Sequence, residues 1–209
     1  MKRHIMTAVG IFCFLSILTA CSTTGKKTDA VSSATLSETA SGKNEIGITS
    51  KIAIVLFSSA KNNNTAKIAG EIASAMEAKI ISCDAATPEA LSNYEVVGFG
   101  SGIFDQRHHK KILEIAGNLS EQSGKKVFIF STSGVSRDVC KKNSIKDPHD
   151  ALRNILLEKG CDVVGEYNCP GLNKNSVLFL FGGMNKGRPN SDDLLGARKF
   201  AQGLAPLIR

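Results

Sequence analysis

The sequence predicts an α/β domain, a doubly wound sheet of five parallel strands with helices on both faces. Short apolar runs rich in β-branched residues alternate with amphipathic helical segments, and polar loops stand where each run ends. At 209 residues the chain has room for one such domain and an appendage. No self-similarity of the length that marks solenoids or propellers is present.

Lys51 to Phe57 is a nearly continuous apolar run, the pattern of a central strand buried on both faces. From Thr65 to Ala78, residues Ile68, Ile72, Ala75 and Met76 recur at helical spacing and give an amphipathic helix. A short strand over Lys79 to Cys83, a turn around Pro88 and a third strand over Glu95 to Phe99 follow, joined by a crossover. Ile112, Leu113, Ile115, Ala116 and Leu119 mark a helix, and Lys126 to Phe130 a fourth strand. Asp147-Pro148 has the form of a helix start, a cap followed by proline in the first turn, with Leu152, Ile155 and Leu156 as the buried stripe. Asp162 to Tyr167 and Val177 to Phe181 supply further strand material, and Ser191 to Leu207 closes the chain as a helix.

The appendage comes first. Lys2 and Arg3 precede an apolar run from Ile5 to Ala20, the architecture of a secretory signal. Its end, Leu18-Thr19-Ala20-Cys21, resembles the lipobox of bacterial lipoproteins, which implies a lipid-modified Cys21 and an extracytoplasmic, membrane-anchored protein. Residues 22–50 are Ser, Thr, Gly, Lys and Ala in the main and form a flexible tether, leaving residues 51–209 as the folded domain. Without residues 1–21, 24 basic residues face 19 acidic ones. These lysines are spread along the chain, which argues against nucleic acid and for an anionic surface or an acidic partner. Four cysteines remain in the domain, Cys83, Cys140, Cys161 and Cys169, with no close pair of the zinc-ribbon or thioredoxin type.

Ligands of such sheets bind beyond the carboxyl ends of the strands. After the first strand, the loop from Ser58 to Thr65 is rich in hydroxyls and amides and opens a helix, whose free N–H groups suit a phosphate. It contains no glycine, so it is neither a P-loop nor a dinucleotide fingerprint. Taken alone it is equally an ordinary capped turn. After the third strand, Gly98-Phe99-Gly100-Ser101-Gly102-Ile103-Phe104 offers glycines that admit a flat ligand and an aromatic that can stack on it. After the fourth comes Ser131-Thr132-Ser133-Gly134.

These three loops, in this order, resemble those of flavodoxins. Ser59, Asn64 and Thr65 match the family's phosphate turn, with Asn63 where glycine is usual, and asparagine tolerates the left-handed backbone that glycine supplies there. Phe104 stands where the family usually has tyrosine. The resemblance implies a strand order of 2-1-3-4-5 and noncovalent flavin mononucleotide (FMN). Ser59, Asn62, Asn63, Asn64 and Thr65 would hold its phosphate. Gly100, Ser101, Gly102, Ile103 and Phe104, with Ser131, Thr132, Ser133 and Gly134, would surround its ring. The function implied is electron transfer to a redox partner protein or a small-molecule acceptor.

Two alternatives stand beside it. The chain has no Trp to cover a flavin face, and an open face would suit an FMN-dependent quinone-type reductase. Loss of the cofactor would leave a binding lipoprotein on the same scaffold. His108-His109, placed on a helix, would point in different directions and lacks the further ligands a metal requires. Lys186 and Arg188 lie in a loop before the last helix and are expected to serve structure.

Overall fold

The computed structural model describes residues 50–59, 62–174 and 183–208. The lipobox, nearly all of the tether and the strand material at Val177 to Phe181 lie outside them. Five parallel strands form the sheet: β1 (Ile52–Phe57), β2 (Lys79–Ser82), β3 (Val96–Phe104), β5 (Lys126–Ser133) and β6 (Asp162–Pro170). They run in the order β2-β1-β3-β5-β6, and a two-residue strand β4 (Arg107–His108) folds back antiparallel on β3. With that hairpin strand set aside, the order is the expected 2-1-3-4-5. Among the described residues no helix is long and apolar enough to cross a membrane.

Strand alternation divides the core into two layers. Ala53, Val55, Val97, Phe99, Val127 and Ile129 face one side, where Ile112 and Ala116 of α3 (Lys110–Gly117) and Leu152 and Leu156 of α5 (Asp150–Glu158) cover them. Ile54, Phe128 and Phe130 face the other. There α1 (Asn64–Met76) contributes Ile68, Ala69 and Ile72, and α6 (Ser191–Leu204) contributes Ala197, Ala201 and Leu204. Both sides of the sheet are therefore dry, as the unbroken apolar runs of β1 and β5 require.

Several boundaries differ from expectation. β3 runs on to Phe104 and β5 to Ser133, so the glycine and serine stretches expected as loops are largely strand. The reason is cross-strand packing. Gly98 pairs with Phe128 and Gly100 with Phe130, and a Cβ on either glycine would lie 2.2 or 2.0 Å from the facing ring's Cζ. These two glycines make room for phenylalanine rings, not for a ligand. α5 starts at Asp150, with His149 as its N-cap; the Asp147 carboxylate receives the His149 amide at 3.0 Å and pairs with Arg137 and Arg153, and its carbonyl accepts from the Asp150 amide at 3.1 Å. His108 and His109 form the end of β4 and the N-cap of α3, not a helix. Two short helices, α2 (Pro88–Ser92) and α4 (Arg137–Lys142), stand where only turn or loop was expected, capped by Thr87 and Ser136. Asn190 and Asp193 form a reciprocal capping box at the start of α6, and Arg188 pairs with Asp193 at 2.5 Å.

Gly100→Ala is expected to destabilise the domain by about 2–3 kcal/mol in urea unfolding, the usual scale of an overpacked core. Adding Phe130→Leu should recover part of that loss, so the double variant costs less than the sum of the two single ones.

Candidate functional site

A cleft of about 370 Å3 opens at the carboxyl ends of β1, β3, β5 and β6. Of the expected site residues, Ser59, Asn62, Asn64, Thr65, Gly102, Ile103, Phe104, Thr132, Ser133 and Gly134 line it. Asn63, Gly100, Ser101 and Ser131 do not. Ser58, Asp105 and the segment Gly171, Leu172, Asn173 and Lys174 complete the wall, none of them among the expected residues.

The loop after β1 has the backbone that its sequence implied. Asn63 adopts φ 49°, the left-handed region that flanks the helix start, with its N–H on Ser59 O at 3.1 Å and its carbonyl accepting from Lys67 N at 3.1 Å. Ser58 Oγ accepts from the Ala66 amide at 3.3 Å. Thr65 is buried, its hydroxyl 2.8 Å from that of Thr132, and this contact ties α1 to the end of β5.

The second wall is a tight hairpin. Asp105 and Gln106 both have positive φ, 47° and 59°, the two-residue turn that suits right-twisted strands. It carries Phe104, 40% exposed, edge-on to a stacked pair of Phe57 and His109 whose ring centroids are 3.4 Å apart.

Asparagine side chains stitch the loops together. Asn62 and Asn64 both donate from Nδ2 to Leu172 O, at 3.2 and 2.9 Å. Asn185 donates to Gly134 O at 2.8 Å and to Gly171 O at 3.2 Å. Asn173 and Met184 exchange backbone bonds of 2.9 Å. The segment after β6 is thus part of the cleft; its signal in the sequence was its place after a strand end, where the general rule for such sheets puts ligands.

Ser101 and Ser131 face a polar layer under the cleft instead. Both are fully buried; Ser101 Oγ lies 2.9 Å from His108 Nδ1 and Ser131 Oγ 2.7 Å from His149 Nε2. Beside them Arg137 meets Asp147 at 2.5 Å and Glu166 at 2.6 Å, and Arg153 pairs with Asp147, Asp150 and Glu166. Burial alone would raise the Glu166 carboxyl, but the bonds from Arg153 and His149 and the Arg137 charge hold it well below the usual carboxylate range. Asp147 is held down in the same way, burial being outweighed by Arg137, the His149 amide and Arg153. Burial also pushes both histidines down, His108 furthest. Cys83, Cys140, Cys161 and Cys169 are all free thiols, and burial pushes Cys169 up to about 12. Among the described residues no group of three or more His, Cys, Asp or Glu side chains is placed to hold a metal ion.

These shifts have one sign for stability. The unfolded chain takes protons on His108 and His149 near pH 6.5, where the folded protein does not, and on Asp147 and Glu166 near pH 4. The unfolded state therefore binds more protons as pH falls, and stability declines. Unfolding free energies from urea titrations are expected to drop from neutral pH to about pH 5, by up to about 1.4 kcal/mol per pH unit for each histidine, and to fall further below pH 4. A flat profile between pH 7.5 and 5 would show that the histidines titrate normally in the folded state.

A family model described as a flavodoxin domain matches residues 54–165, a little over half of the chain. An uncharacterised protein of Methanocaldococcus jannaschii is 39% identical over 152 residues, spanning 73% of this chain and 97% of that protein. The flavodoxin of Streptococcus pneumoniae superposes with a TM-score of 0.54 at 16% identity, over 75% of this chain and 99% of that one. Oxidised flavodoxin 2 from Bacillus cereus does so at 0.52 and 16% identity, over 75% and 98%. The likeness to these two structures is one of fold. On the family match and the archaeal relative together, the chain belongs to the flavodoxin domain family.

Proposed function

We propose that this protein binds FMN noncovalently in the cleft and acts as an electron carrier, anchored to a membrane outside the cytoplasm by a lipid on Cys21. The observation that carries this reading is the convergence of a hydroxyl- and amide-rich helix start with Phe104, Ile103 and Leu172 in one cleft at the strand ends. The donor set fits the group. Ser59, Asn62 and the first turn of α1 suit a phosphate, through hydrogen bonds and the positive end of the helix. Gly102 to Phe104 and Thr132 to Gly134 offer backbone and apolar surface for a flat ring system. A bound flavin supplies the redox chemistry; the chain binds it, orients it and sets the polarity around it.

Among the described residues, the polar side chains lining the cleft are hydroxyls and amides, with Asp105 and Lys174. Such a lining favours a carrier over an enzyme with a side-chain nucleophile. The electron would pass to a redox protein or a small acceptor at the cleft mouth, and the basic surplus of the chain suits an acidic partner.

Full-length protein mixed with FMN is expected to keep visible flavin absorbance through gel filtration. Phe104→Ala should weaken retention by up to about tenfold, the upper range of an aromatic stacking contact. Cys21→Ala should move the protein from the membrane to the soluble fraction. No retained flavin, or a membrane fraction unchanged by Cys21→Ala, overturns the corresponding half of the proposal.

A further inference from the structure

The polar layer below the cleft contains a hydrogen-bonded chain that flavin binding alone does not use. His149 is fully buried, with Nδ1 2.9 Å from Glu166 Oε2 and Nε2 2.7 Å from Ser131 Oγ. Asn168 donates from Nδ2 to Ser131 Oγ at 2.8 Å and to Ser133 Oγ at 3.0 Å. Ser133 lines the cleft. The chain therefore runs from Glu166 through His149, Ser131 and Asn168 to the cleft wall. Ser131, His149 and Glu166 have the bonding order of a hydrolytic triad. With Ser131 fully buried, no substrate carbonyl reaches it, whereas a change of protonation at His149 reorients the hydrogen bonds along the chain.

Partners settle where the hydrogens lie. Glu166 is ionised and only accepts, so His149 donates from Nδ1, and its Nε2 accepts from the Ser131 hydroxyl. Ser101 Oγ accepts from the His109 amide at 3.0 Å and donates to Gly102 O at 2.8 Å, which puts the hydrogen of His108 on Nδ1. His108 Nε2 is then a bare lone pair, buried and without a hydrogen-bond partner among the described residues. The His108 and His149 ring centroids are 4.9 Å apart. The charged groups around the pair are Arg137 of α4, Asp147 in the loop before α5, Asp150 and Arg153 of α5, and Glu166 of β6. Two cations thus face three anions, and with both imidazoles neutral the cluster is one positive charge short of balance. One imidazolium would restore it.

We infer that this cluster is a proton site linked to the electron load of the cofactor, with His149 as the positioning residue that takes the proton. The inference rests on the flavin reading given above. A flavin held in the cleft, lined by Ser133 at the end of the chain, would bring added negative charge there once a one-electron donor had reduced it. One proton from hydronium would then add to His149 Nε2; an N–H bond forms as an O–H bond of hydronium breaks, water is released, and no electron moves in this step. Ser131 changes from donor to acceptor toward His149, and through Asn168 this alters the hydrogen bonding of Ser133 at the cleft wall. By linkage, protonation of His149 in turn favours the reduced flavin.

The test uses full-length protein loaded with FMN and passed through gel filtration. Nitrogen-15 NMR follows the histidine rings from about pH 5 to 8, oxidised and then reduced with dithionite. The expected result is an apparent pKa of His149 higher by about one unit in the reduced protein, a tenfold gain in proton affinity. Ser131→Ala, checked for folding by circular dichroism, should abolish the difference; if that variant does not fold, the wild-type comparison decides. Identical His149 titrations in the two redox states, with FMN retained, overturn the proton linkage alone. Loss of FMN on gel filtration overturns the flavin reading and the linkage with it.

Discussion

The parallel pairing of β3 with β5 is the contact on which the rest depends. Gly98 and Gly100 lie opposite Phe128 and Phe130, and the rings occupy the space that side chains at the glycines would need. That interlock admits one register, since a slip of one residue would turn every side chain to the wrong face. The same register sets Ser101 opposite Ser131 and Gly102 opposite Thr132. One packing constraint thus builds the apolar layer under α1 and α6, the polar layer under α5 and the floor of the cleft.

Along β5 the environment changes from wholly apolar at Val127 to Phe130, through buried hydroxyls at Ser131 to Ser133, to the open cleft at Gly134. Buried hydroxyls and carboxylates are costly unless paired, and here they are paired, Ser131 with His149 and Asn168, Glu166 with two arginines and His149. Such a satisfied network holds its members in one arrangement, which suits a wall that must present fixed groups to a ligand. The loops above are fastened in the same way, by amide side chains that bond to the backbone of neighbouring loops.

Much of the fold was legible because it rests on local periodicity. β1, the α1 stripe and the alternation of strands and helices follow from apolar spacing alone, and Asn63 announced a left-handed residue in a turn without glycine. Strand ends were less legible, since Gly and Ser carry no apolar signal and β3 and β5 continue through them. Strand parity held the missing information. Val127, Ile129 and Ser131 share a face, so Ser131 is carried under α5 to His149, while Thr132 turns to Thr65 of α1. The charged cluster of Arg137, Asp147, Arg153 and Glu166 is assembled from separate elements, and no spacing in the sequence records it. Gly171 to Lys174 was overlooked because its role depends on bonds to Asn62, Asn64 and residues 184–188.

The most direct test of the central claim is a calorimetric comparison of FMN and riboflavin binding to the full-length protein. The two ligands differ by the phosphate alone. If the first turn of α1 with Ser59 and Asn62 forms the anchor, two charge-assisted hydrogen bonds are worth about 3 kcal/mol, and FMN should bind at least about a hundredfold more tightly. Equal affinities would contradict a phosphate site at this helix start, and binding of neither would contradict a flavin cleft.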